Sequence, residues 1–177
     1  MEKKHIALVA ALAVVALTIG MIVFVILPSL FAPPVDISGI SPAAYSSSYE
    51  LLPQIVAGMP MIGGSDFTVP LTVDTGTRIF EVERTRATYD GIFVHIFKAD
   101  STSEASDTLV AILEDVNWYG EASSKVQTND WFTVYKDNRS VFFWRSGVLL
   151  FGIDADTETT RNNAAEDFVL YLRSLSD

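Results

Sequence analysis

His95 sits between Phe93 and Phe97 in the segment Ile92-Phe-Val-His-Ile-Phe-Lys98, and it is the one histidine after His5. An imidazole can act as a general base or a metal ligand, but both roles need partner groups, and the chain has no cysteine to join it. A strand repeats every two residues, so His95 shares a face with two phenyl rings and reads as a hydrogen-bonded structural residue. The acids Asp154, Asp156 and Glu158 have the opening spacing of a calcium loop. Such a loop needs Gly at its sixth position and Glu at its twelfth, where this chain has Thr159 and Ala165. They read instead as acids ahead of a helix N-terminus, which favours negative charge. No G-x-S-x-G is present, and Gly63-Gly64-Ser65-Asp66 lacks the strand-to-helix elbow around it. A Ser–Lys dyad through Lys98, Lys125 or Lys136 would place the amine among polar residues that leave its pKa high. Phosphate-loop and dinucleotide fingerprints are absent too. No catalytic residue, cofactor or metal is therefore expected.

The aromatic set Trp131, Phe132, Tyr135, Phe142, Phe143 and Trp144 is better suited to binding. At period two, Trp131 and Tyr135 share one face of a strand, as do Phe142 and Trp144. Both faces of this strand pair are apolar, and one must meet helices. The other is either a binding face for protein, peptide or sugar, made by Trp131, Tyr135, Phe142 and Trp144, or is covered by residues 50–73. Asn138-Arg139-Ser140 is an N-glycosylation sequon in an expected exposed turn, which makes Asn138 a candidate modification site.

The elements that position these groups follow from turn and cap signals. Strands are expected at 67–73, broken by Pro70, and at 77–89. Asp90-Gly91 then makes a hairpin turn into 92–98. Ser101 and Glu104 form a capping box before a helix with Ala105, Leu109, Ile112, Leu113 and Val116 on one face. After a loop over 117–129, strands are expected at 131–135, 140–145 and 148–153. A closing helix follows at 160–175, with Ala164, Phe168, Tyr171, Leu172 and Leu175 on one face. The run from Gly91 to Ser101 aligns with Gly147 to Thr157 at a shift of 56 residues, and the helix faces follow with three residues inserted. This is either a ββα pseudo-repeat or the pattern that any strand-turn-helix unit shares. Both give an α+β fold: a two-layer domain, with an antiparallel sheet of about five strands covered on one face by two helices.

Residues 6–27 contain no charge and, as a helix, would span about 33 Å against a hydrocarbon core of about 30 Å. Lys3 and Lys4 precede this run, and the first charge after it is Asp36. The positive-inside rule then gives a cytoplasmic tail at 1–5, a transmembrane signal anchor at 6–27 and a single-pass protein of the cell membrane with its C-terminal domain outside. Pro28, Pro33, Pro34, Pro42 and Pro53 with several serines mark a stalk at 28–53, leaving 54–177 as the extracytoplasmic domain. An apolar N-terminal helix with a β-rich head resembles pilin-like subunits in architecture, although Lys3-Lys4 runs into His5-Ile6 without the small residue at which their precursors are cut. The resemblance implies a filament subunit. The net charge of −10 opposes nucleic acid as a partner. The expected partners are the lipid bilayer, through residues 6–27, and another protein. The leading expectation is a membrane-anchored, non-catalytic binding or assembly module offering a sheet face or edge. A hydrolase using carboxylates and a filament subunit are the alternatives.

Overall fold

A computed structural model describes residues 14–19, 21, 32–41, 47–73, 78–114, 124–136 and 138–176. The chain divides into two compact units, residues 1–32 and 33–177. In the first, residues 14–19 and 21 are helical, and the Thr18 hydroxyl donates to the Val14 carbonyl at 2.8 Å. Among the described residues no helix is long and apolar enough to cross a membrane. The transmembrane helix and the single-pass membrane location expected from residues 6–27 are therefore not supported: a span needs about 20 helical residues, and most of this run lies outside the described residues.

In the second unit, turn chemistry cuts alternating apolar sequence into strands. Two residues, β1 (Ile55–Val56), turn through Ala57 and Gly58, both at positive φ, into the long β2 (Met59–Val73). The third strand, β3 (Arg78–Tyr89), folds back through Asp90-Gly91 into β4 (Ile92–Lys98). Gly91 has φ +70°, the left-handed conformation such a turn requires. Helix α1 (Thr102–Glu114) follows, with the Ser101 hydroxyl accepting from the Glu104 amide at 3.1 Å as the capping box demands. Then come β5 (Ser124–Gln127), β6 (Trp131–Lys136), β7 (Arg139–Ser146) and β8 (Leu149–Ala155). Helix α2 (Glu158–Ser174) closes the series, capped by Thr157.

The strands form one antiparallel sheet in the order β1-β2-β3-β4-β8-β7-β6-β5. Seven strands carry it, with the two-residue β1 added at one edge, where about five were expected. The difference has two sources. Strand β2 begins well before residue 67 and runs through Gly63-Gly64, with only a register shift between Met61 and Gly63, and β5 lies inside the expected loop. The halves meet at the centre, where β4 pairs with β8: Val94 lies opposite Ile153, His95 opposite Gly152, and Ile96 opposite Phe151.

Both faces of that central pair are apolar, and each carries a helix. Helix α2 packs Ala164, Ala165, Phe168, Val169 and Leu172 over Val94, Ile96, Trp144, Phe151 and Ile153. Helix α1 packs Ala105, Leu109 and Ile112 with Phe97, Phe132, Phe143 and Leu150 on the other side. The two helices thus cover opposite faces rather than one. A rotation superposing one strand meander on the other would leave both helices on the same face, so the halves share a pattern but not a superposable unit. Part of the expected stalk also joins the α2 face, where Val35, Ile40, Leu51 and Leu52 are buried. It is fastened to α2 and its end: Arg173 donates to the Asp36 carboxylate, and the Ser41 amide donates to the Ser176 hydroxyl at 3.2 Å. Burying each of Phe168, Val169 and Leu172 contributes about 1.5–3 kcal/mol.

Gly152 shows how closely the α1 face is packed. A Cβ there would lie 2.2 Å from the Phe143 ring, which is itself stacked on Phe132 at 5.3 Å and on His95 at 5.8 Å. The ring has no free side to retreat to. Gly152→Ala is expected to cost about 1–3 kcal/mol in urea unfolding, with much of the loss recovered when Phe143→Leu is combined with it. Simple additivity of the two losses would show that the ring does not set the requirement.

Candidate functional site

Three of the four aromatic residues expected to form a binding face, Trp131, Phe142 and Trp144, are buried on the α2 side of the sheet. Phe142 stacks on Trp144 at 4.9 Å, and Trp144 meets Phe168 of α2 edge-on at 6.0 Å. Tyr135 alone reaches solvent, at 37% exposure, with its hydroxyl 3.3 Å from the Asn138 side chain. Asn138 is exposed at a positive-φ turn position. The sequon serine, Ser140, is buried and accepts a hydrogen bond from Arg161 at 2.9 Å, so in the folded chain its hydroxyl is already engaged.

The opposite face carries the polar cluster. Register places Arg84 beside Phe97, Arg86 beside His95, and Phe93 beside Asp154, all pointing to the α1 side. Helix α1 covers one end of this face, and the arginines close the rest. The Arg84 guanidinium lies 5.1 Å from the Phe67 ring centroid and 5.4 Å from that of Phe97, and it donates to His95 Nδ1 at 3.1 Å. Arg86 lies over Phe93 at 4.1 Å, and Arg139 reaches the same ring from β7 at 5.0 Å. Stacking of this kind lets an arginine bury its stem and one guanidinium face while its in-plane donors stay available. Arg139 uses its donors on Asp154, at 2.8 Å, and on the Gly91 carbonyl. Arg86 differs. Its Nε is buried without a hydrogen-bond partner, and no ion pair holds it among the described residues.

Electrostatics follow from this packing. Burial, and then the charges of Arg84, Arg86 and Arg139, hold the His95 imidazole well below its usual pKa, so it is neutral at pH 7. With Nδ1 accepting from Arg84, its proton resides on Nε2. Burial pushes the Asp154 carboxyl up, against the opposing pull of Arg139 and Arg86. Asp154 therefore lies against a cation, not a second acid, and Glu158 bonds to Arg161. No group of three metal-ligating side chains occurs among the described residues. Sequence reasoning singles out His95 but passes over its arginines. The available signal is the alternation Arg84-Thr85-Arg86, which in a strand puts both cations on one face.

A second feature is the edge made by β2. Its outer side pairs with β1 at Met59 and Pro60, and the Met61 amide donates to the Gln54 carbonyl at 2.9 Å, so from Ile62 onward no strand adds to it among the described residues. Ile62 is 69% and Phe67 is 38% exposed, and Asp66 is the one charged residue of the strand. Edge strands normally carry charges, prolines or bulges against unwanted pairing. Here the register shift at Met61/Gly63 and the single charge of Asp66 are the only such features between Pro60 and Pro70, and from Gly63 to Val69 the pairing with β3 runs without a shift. The opposite edge, β5, has four residues.

Comparison with known proteins adds little to these observations. No family model matches the chain, and no curated protein matches it. Among solved structures, a GTP-binding regulator from Thermotoga maritima aligns at 12% identity and a TM-score of 0.36, covering 66% of this chain and 76% of that one. A likeness that distant carries no argument about function.

The depressed His95 pKa fixes the sign of a pH effect. The unfolded chain takes up a proton near pH 6.5 and the folded site does not, so the unfolded state binds more protons and stability falls on acidification below that value. Urea unfolding between pH 7 and 5.5 should show a loss approaching about 1.4 kcal/mol per pH unit. His95→Gln should flatten that slope. Asp154, shifted upward, contributes the opposite sign at lower pH, as its folded form takes up a proton first. An unchanged slope in H95Q would assign the dependence to another group.

Proposed function

We propose that residues 33–177 form a non-catalytic binding or assembly module that presents the β2 edge to an extended segment of a protein partner. One observation carries this reading: the eight residues from Ile62 to Val69 lie on an edge that no described strand covers. At about 3.4 Å per residue they offer roughly 27 Å of backbone for strand addition. Backbone hydrogen bonds would supply affinity, and the exposed Ile62 and Phe67 side chains would supply selectivity. The placement of Asp154 against Arg139 favours this over a carboxylate hydrolase, which needs two acids in one cleft with one pKa raised.

A photo-cross-linking residue in place of Ile62, in the whole chain expressed in its own cells, tests the reading. A recurrent partner should be captured through one extended peptide, and the same probe at Leu170 on α2 should not capture it. Thr68→Lys, which puts charge on the edge, should reduce capture at least about tenfold. If nothing is captured at Ile62, or if Thr68→Lys leaves capture intact, the edge is not the docking surface.

A further inference from the structure

The arginine cluster points to a second binding site, independent of the edge. We infer that Arg86, Phe93 and Arg139 form a binding site for an oxyanion group, a carboxylate or a phosphate, on the α1 face of the sheet. Phe93 is the platform. Arg86 stacks on it at 4.1 Å and Arg139 approaches it at 5.0 Å, so the two guanidinium carbons are no further apart than those distances together. Both cations therefore lend positive potential to one neighbourhood of this face, and Arg86 is the one whose donors are not engaged.

Three observations give the site its character. First, its charges do not balance. Arg139 is paired with Asp154, which also feels the charge of Arg86, so two cations share one carboxylate, and Arg86 Nε is buried without a hydrogen-bond partner. A cation left half-buried without a counter-ion of its own is costly, and a bound anion removes the cost. Second, the donors are fixed. The Arg86 guanidinium is held against the Phe93 ring with its Nε–H buried, and the two terminal nitrogens of a guanidinium can grip two oxygens together. Third, hydroxyls lie in register beside it: Ser65 pairs with Arg86 across β2–β3, and Thr88 lies two residues along on the same face, opposite Phe93. The chain as a whole carries −10 and repels anions, so attraction at this site must come from these local donors.

The test is a titration of the whole chain, labelled at arginine with nitrogen-15, with inorganic phosphate and separately with acetate at constant ionic strength. The buried Arg86 Nε–H should give a resolved signal that shifts and saturates with at least one of the two. Saturation by phosphate identifies a tetrahedral group as the preferred ligand, and saturation by acetate alone identifies a carboxylate. Arg86→Gln should abolish the saturable response, which Phe93 ring protons report in the variant. Should that variant fail to fold, Arg86→Lys keeps the charge without the fork and should bind measurably more weakly. Thr68→Lys at the edge should leave the titration unchanged, so the two sites fail or stand separately. Linear, non-saturating shifts equal to those from chloride, or a response that survives Arg86→Gln, would overturn the site.

Discussion

The pairing of β4 with β8 is the constraint on which the rest of the structure depends. It joins residues nearly 60 positions apart and unites two meanders into one sheet. Ile92, Val94 and Ile96 face one way while His95 and Phe97 face the other, and all are buried. A strand pair with no solvent face cannot sit in a two-layer domain, so each side has to be covered. Helix α2 and the segment around Val35, Ile40 and Leu51 cover one side. Helix α1 covers part of the other.

What α1 leaves open is closed by a different kind of packing. Arg84, Arg86 and Arg139 place their guanidinium groups over Phe67, Phe93 and Phe97, and a neutral, buried His95 lies among them. Hydrocarbon alone would close that end more simply. The arginines bring donors and charge into a partly dry region, where an electrostatic contact is stronger than at the open surface. This region therefore combines the features of a core and of a recognition surface.

Several element boundaries, though not the layering, were legible in the sequence because local chemistry decided them. Ser101 with Glu104, Asp90-Gly91 and Gly147 mark helix and turn boundaries that hold in the structure. Of the expected helix stripes, Ala105, Leu109, Ile112, Leu113, Ala164, Phe168 and Leu172 are buried and Tyr171 and Leu175 partly so, while Val116 lies outside the described residues. The side on which each helix packs was not legible, since a strand apolar on both faces gives no preference. Gly63-Gly64 falls outside the strand expected at 67–73, yet a glycine can remain in a strand where a neighbour presses close: a Cβ on Gly64 would lie 2.8 Å from the Tyr49 ring. The aromatic residues of β6 and β7 could have served a core or a surface, and only the position of α2 assigns Trp131, Phe142 and Trp144 to the core. At the arginine site the sequence showed the alternation of cations. It could not show Arg139 arriving from a strand two places away in the sheet.

Helix α2 follows every described strand, and that order bears on how the protein is made. During synthesis the whole sheet can emerge before the element that covers Trp144, Phe151 and Ile153 exists. For that interval one broad apolar surface, with an unpaired β2 edge beside it, is open to any neighbouring chain. Nascent chains released short of residue 158 would stay in that state permanently. The cell's handling of this protein should therefore depend on how quickly α2 follows the sheet out of the ribosome.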